Sequence, residues 1–158
     1  MIPERGPSAG VVVIGYGNRL RSDDGLGWHA IERLSTDPRA SGAELLFCHQ
    51  LAPELSIDVG RASLVILVDA DADLEPGAVA VREVVARAES GTLMSHHIDP
   101  GTLVALTVEL TGAAPAVYTV SAGPESMETG DRLSAAAERA LPDVVERVAE
   151  LIAGKRLA

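Results

Sequence analysis

Four short runs of the chain are almost wholly apolar. Val11-Val12-Val13-Ile14 ends at Gly15, and Leu64-Val65-Ile66-Leu67-Val68 ends at Asp69. Leu45-Leu46-Phe47 and Ala116-Val117-Tyr118-Thr119-Val120 are the other two. Runs this short, apolar at consecutive positions, predict strands buried on both faces. The turn Pro76-Gly77 leads into Val79-Ala80-Val81-Arg82, whose alternation predicts a strand with one wetter face.

Between the strands the spacing becomes helical. Leu26, Ala30 and Leu34 recur at i, i+4 and i+8 before the breakers Asp37-Pro38. Leu103, Leu106 and Leu110 follow Pro100, which suits a first helical turn. A last helix carries Leu141, Val144, Val145, Val148, Leu151 and Ile152 on one face. Ser134 is its expected N-cap, Pro142 an expected break or kink near its start, and Gly154 its expected end. Strands alternating with helices specify an α/β sandwich, a mostly parallel twisted sheet with helices on both faces. No repeat, low-complexity tract or linker interrupts it, so residues 1–158 read as one domain with a flexible tail over 1–9. In such sheets ligands sit outside the carboxyl ends of the strands. Two strands end on polar groups there: Gly15-Tyr16-Gly17-Asn18 after the first, and Asp69 after the central one.

Composition narrows the partners. Thirteen Lys/Arg against 23 Asp/Glu give a formal charge of −10. Phosphate backbones are bound by clustered Lys and Arg, and the densest basic pairs are only Arg19/Arg21 and Lys155-Arg156. Nucleic acid is therefore not an expected partner. The carboxylate excess suits a cation or a basic peptide, and it serves solubility too. No apolar run approaches the roughly 18 residues of a membrane span, and the opening ten residues lack the order of a signal peptide. No membrane partner is expected. The lone Cys48 cannot close an internal disulfide, which fits a reducing cytoplasm. It reads as a small core residue rather than a nucleophile.

The chemistry gathers in three places. Residues 15–25 read GYGNRLRSDDG. Gly15 and Gly17 permit a tight turn with backbone close to a ligand. Leu20 stands where the dinucleotide fingerprint needs a third glycine, and no P-loop Gly-Lys-Ser/Thr is present. Asp23 and Asp24 precede a helix, where an aspartate caps the first turn and favours its positive end. At least one of the two is expected to do only that. Asp69 ends a buried strand, where an unpaired carboxylate is costly, so it either caps the next turn or serves a site. Ser95-His96-His97-Ile98-Asp99-Pro100 is a polar turn before a helix. Adjacent histidines on extended chain point opposite ways, so at most one faces a given site. Two carboxylates and one imidazole on three strand-to-helix loops suit nickel, zinc or iron and leave positions open for substrate. There is no HExxH helix and no CxxC pair, which excludes a standard zinc protease and a structural zinc site.

Taken in order, these segments resemble the hydrogenase maturation endopeptidases. The resemblance covers Gly15-Tyr16-Gly17-Asn18 with Asp23-Asp24-Gly25-Leu26-Gly27, then His49-Gln50-Leu51-Ala52-Pro53-Glu54-Leu55. It continues through Leu67-Val68-Asp69-Ala70, Glu75-Pro76-Gly77 and Ser95-His96-His97-Ile98-Asp99-Pro100. It closes with Gly123-Pro124-Glu125-Ser126 and Gly130-Asp131-Arg132-Leu133-Ser134. Each motif alone is weak; five in order and spacing are specific. The resemblance implies a five-stranded α/β sandwich that clips a C-terminal extension from the large-subunit precursor of a nickel–iron hydrogenase. Cleavage then waits for nickel, which arrives with the substrate and is recognised through Asp24, Asp69 and His96, the metal-binding and catalytic set. The family often carries Glu at the first of these, and Asp24 is one methylene shorter. Spacing back from Ile98-Asp99-Pro100 matches His96 rather than His97. The resemblance also assigns Gly17, Asn18 and Gln50 to substrate binding, and a monomer is expected.

Two other readings compete. Peptidyl-tRNA hydrolases also follow their first strand with Gly-x-Gly-Asn, but continue with Pro-Gly where this chain has Arg19-Leu20. Their polyanionic substrate also suits a chain at −10 poorly. The other is a nickel-dependent chaperone that binds the same precursor without cutting it.

Overall fold

The computed structural model describes residues 10–87 and 98–157. The tail expected over 1–9 and the histidines His96 and His97 lie outside the described residues. Every strand expected from the apolar pattern is present. They are β1 (Val11–Tyr16), β2 (Glu44–Cys48), β3 (Leu64–Ala70), β4 (Val79–Glu83) and β5 (Ala116–Ala122). They form one sheet in the order β2-β1-β3-β5-β4, parallel except for β4, which runs antiparallel to β5.

Helices cover both faces, and the strands show why their apolar runs are continuous. Val11, Val13, Ile66, Val68 and Val120 pack beneath α1 (Leu26–Ser35) and α4 (Ala135–Leu157). The residues between them, Val12, Ile14, Val65, Leu67 and Val117, pack beneath α2 (Ser56–Arg61) and α3 (Pro100–Thr111). Alternate residues thus enter two cores, and each fully buried side chain contributes about 1.5–3 kcal/mol. At the edges burial weakens: β2 is half-buried throughout, and Val81, Arg82 and Glu83 of β4 are exposed.

The helices depart from the sequence pattern in four places. Neither Asp23 nor Asp24 caps α1; both lie in a 3-10 turn, and the cap position is Gly25. In α3, Asp99 caps through Thr102 N–H (2.7 Å), but Leu110 is exposed. The buried stripe of α3 runs through Leu103, Leu106 and Thr107 and stops a turn short of it. Ser134 caps α4 as expected, its Oγ accepting from Ala137 N–H at 3.2 Å. Yet Pro142 does not break α4, and the helix passes Gly154 to Leu157. Pro142 costs the carbonyl of Glu138 its helical partner, but both residues are exposed, where solvent can satisfy that carbonyl. The buried face of Val144, Val145, Val148 and Ile152 holds the rest in place. The fourth departure is α2, which the sequence did not predict; at six residues it buries only Ser56 and Val59.

This topology sets where a site can form. From β1 the chain leads through α1 to β2 on one side, then through α2 to β3 on the other. The gap between β1 and β3 is therefore the switch point, where α/β sheets bind ligands. The first turn of α1 lies directly on it. A Cβ on Gly27 would stand 2.7 Å from both Tyr16 N and Val68 O, so only glycine allows the helix to approach this closely. Among the described residues no helix is long and apolar enough to cross a membrane.

Candidate functional site

Asp69 sits at the carboxyl end of the central strand and does not cap the following turn. It shares a row with residues on the two neighbouring strands. β1 pairs Gly15 with Val68, and β5 pairs Ser121 with Asp69. Tyr16 Oη donates to Asp69 Oδ2 at 2.8 Å, and Ser121 Oγ donates to Asp69 Oδ1 at 2.5 Å. Burial pushes the Asp69 carboxyl up to about 6; the charges of Asp71 and Asp24 add to this, against the two hydroxyl bonds. Burial, with the Asp69 charge beside it, drives the Tyr16 phenol far above its ordinary range.

Asp24 reaches the same edge from the β1–α1 loop. Its Oδ2 accepts from Asn18 N–H at 2.7 Å. Among the described residues its Oδ1 accepts no hydrogen bond. Gly17 makes the loop possible: its φ is +134°, and a Cβ there would stand 2.1 Å from the Asp24 carbonyl oxygen. The Gly17 N–H donates to the carbonyls of Cys48 (3.2 Å) and His49 (3.1 Å), tying the loop to the end of β2. Arg19 stacks over Trp28, 4.0 Å from the ring centroid, and Trp28 meets Phe47 edge-on at 5.1 Å.

Asp23, beside Asp24, does something quite different. It is 1% exposed, and its carboxylate gathers the segment before α4. Oδ2 accepts from Glu125 N–H (2.8 Å), Ser126 N–H (3.0 Å) and Ser134 Oγ (2.7 Å), while Oδ1 accepts from Ser134 N–H (2.7 Å). Burial alone would raise this carboxyl, but these bonds outweigh it and hold it below the usual carboxylate range. Ser22 N–H to Gly130 O (2.8 Å) and Gly130 N–H to Leu20 O (2.9 Å) complete the seam between the two loops. The adjacent aspartates therefore differ: Asp23 fastens the loop to the segment before α4, while Asp24 accepts from Asn18 N–H within its own loop.

The remaining candidates fall around this edge. Asn18 Oδ1 accepts from Leu20 N–H at 3.0 Å, so the side chain closes a turn. Gln50 is exposed just beyond β2. Cys48 packs against the α2–α3 core, and burial raises its thiol, as befits a core residue rather than a nucleophile. Ile98, which follows the two histidines, is buried, and its N–H donates to Leu51 O at 3.1 Å. Among the described residues no three His, Cys, Asp or Glu side chains group to hold a metal ion.

The raised Asp69 carboxyl carries a stability signature. The folded protein holds this proton from pH 4 to about 6, whereas the unfolded chain releases it near 3.8. Stability therefore falls as pH rises through that window, by about 3 kcal/mol for a shift of this size. Denaturant unfolding of wild type and Asp69→Asn at pH 4 and pH 8 checks it. The variant should gain about 2.5 kcal/mol on the wild type between the two pH values, the rest of the shift being already spent at pH 4. An unchanged difference would mean that Asp69 titrates normally.

No protein-family model matches the sequence, and a search of curated proteins gives no match. Solved structures do. The chain is similar to the hydrogenase maturating endopeptidase HybD from E. coli, at 23% identity and TM-score 0.68, over 88% of this chain and 89% of that one. It is similar to the [NiFe] hydrogenase maturation protease HycI from Thermococcus kodakarensis KOD1, at 21% identity and TM-score 0.69, over 91% and 92%. A hydrogenase 2 maturation peptidase from Thaumarchaeota archaeon SCGC_AB-539-E09 gives 23%, TM-score 0.66, and 90% and 97%. These likenesses establish the shared fold across nearly the whole of each chain.

Proposed function

We propose that this chain is an endopeptidase that removes the C-terminal extension of a nickel–iron hydrogenase large-subunit precursor after nickel has been inserted. The observation that carries this reading is the pair of carboxylates, Asp24 and Asp69, at the switch point of the sheet. The Asp24 charge is close enough to add to the burial that raises the Asp69 carboxyl, and a divalent cation between the two would relieve that cost. The fold shared with the hydrogenase maturation proteases HybD and HycI supports the same reading.

Nickel arrives here as part of the substrate. Asp24 and Asp69 supply oxygen donors to it, and His96 supplies the nitrogen that completes an N/O set. The place of His96 rests on motif spacing, and the anchoring of Ile98 to Leu51, close to the end of β2, supports it. Docking the precursor through its metal brings the scissile bond to the carboxyl edge of the sheet. There a carboxylate at that edge can accept a proton from the attacking water as it adds to the scissile carbonyl. Gly17 and Gln50 border the path of the extension. Intact-mass measurement after incubation with nickel-loaded precursor tests the reading. Loss of the extension's mass is expected; a stable complex with no change in mass would make the protein a chaperone instead.

A further inference from the structure

The hydroxyls around Asp69 are unusual in their completeness. Three parallel strands, β1, β3 and β5, each bring one residue to the same row and the same face: Tyr16, Asp69 and Ser121. Ser121 is 5% exposed, at the end of a strand whose flanking Val120 and Ala122 enter the opposite core. Tyr16 packs its ring against the core beneath α2 and α3. Each hydroxyl could serve solvent or backbone, yet each donates to a different oxygen of one carboxylate. Gripped on both oxygens, the carboxylate cannot rotate about its last bond without breaking two charge-assisted hydrogen bonds.

We propose that Tyr16 and Ser121 are positioning residues that fix the plane of the Asp69 carboxylate for the metal carried by the precursor. This rests on the function proposed above and adds two residues to it. With one lone pair of each oxygen occupied, the carboxylate presents a single preset edge instead of closing symmetrically around an ion. Orienting partners of this kind make a metal ligand both stiffer and more selective. The Tyr16 ring also shields the pair from water on the α2–α3 side, so the hydroxyl acts in a low-dielectric setting where its bond is stronger.

The test compares wild type, Tyr16→Phe, Ser121→Ala and the double variant, with Ser121→Thr as the conservative restoration of a hydroxyl. Affinity for nickel-loaded and nickel-free precursor is measured separately, together with processing rate and melting temperature. Tyr16→Phe keeps the ring and its packing, so it decides the matter even if changes at Ser121 impair folding. Each single variant should lose about 10-fold in affinity for loaded precursor and in processing rate. Affinity for nickel-free precursor should stay at the wild-type value, and Ser121→Thr should recover most of the loss. Equal weakening toward loaded and nickel-free precursor would make the hydroxyls merely structural and overturn the inference. So would a Tyr16→Phe variant indistinguishable from wild type. A wild-type protein with no preference for loaded precursor would instead overturn the function on which the inference rests.

Discussion

Asp24→Asn and Asp69→Asn are each expected to fold and to process nickel-loaded precursor more than about 100-fold more slowly than wild type. Loss of a residue that merely orients a ligand costs about 10–100-fold, and the proposed function makes these two the ligands themselves. Folding is spared for different reasons at the two positions. At Asp24 the variant keeps a side-chain oxygen for Asn18 N–H. At Asp69 the substitution removes a charge that burial disfavours, so the melting temperature should hold or rise. His96→Ala should fail likewise, and His97→Ala should retain most activity, because adjacent side chains on extended chain face opposite ways. Wild-type processing by both Asp→Asn variants would make the carboxylates structural. An inactive His97→Ala beside an active His96→Ala would move the imidazole by one residue and leave the rest intact.

Asp23→Ala should do the reverse, damaging the fold first. It leaves three backbone N–H groups and one hydroxyl without their acceptor. Each such loss costs about 1–3 kcal/mol when buried and less where water can enter, and Glu125 is exposed. A total of about 2–4 kcal/mol follows, or about 5–15 °C in melting temperature for a chain of this length. The sign with pH is fixed by the depressed carboxyl. Its contribution is complete above the unfolded value near 3.8 and fades as pH falls through the lower folded value. The gap between wild type and Asp23→Ala should therefore narrow in acid. A variant that melts with the wild type at pH 7 would show that the seam to Ser134 is not held by Asp23.

Much of this was readable from the chain because burial on both faces leaves a plain trace. Val11 to Ile14 and Leu64 to Val68 are apolar at every position since alternate residues enter two cores; four strands followed from such runs, and the fifth, at the sheet edge, from its alternation. Asp69 stood out for the same reason, as a carboxylate closing a run that water does not reach. What the sequence hid was pairing across distance. Asp23 and Asp24 look alike in a row of residues, and both resemble helix caps. Their roles diverge because one meets Ser134, 111 positions away, and the other meets Asn18. Tyr16 and Ser121 read as ordinary strand residues until the register sets them on either side of Asp69. A signal was available at Ser121, a small polar residue between Val120 and Ala122 near the end of a buried strand, where an unpaired hydroxyl is disfavoured. The expected break at Pro142 did not follow because that position is exposed, and α2 was too short to show a period.

The central claim is that two carboxylates at the switch point recognise a metal borne by the substrate. Initial processing rates on matched nickel-loaded and nickel-free precursor test it most directly. Cleavage of the loaded form, with the nickel-free form left intact over the same interval, is the predicted result. Equal rates on both forms would contradict it.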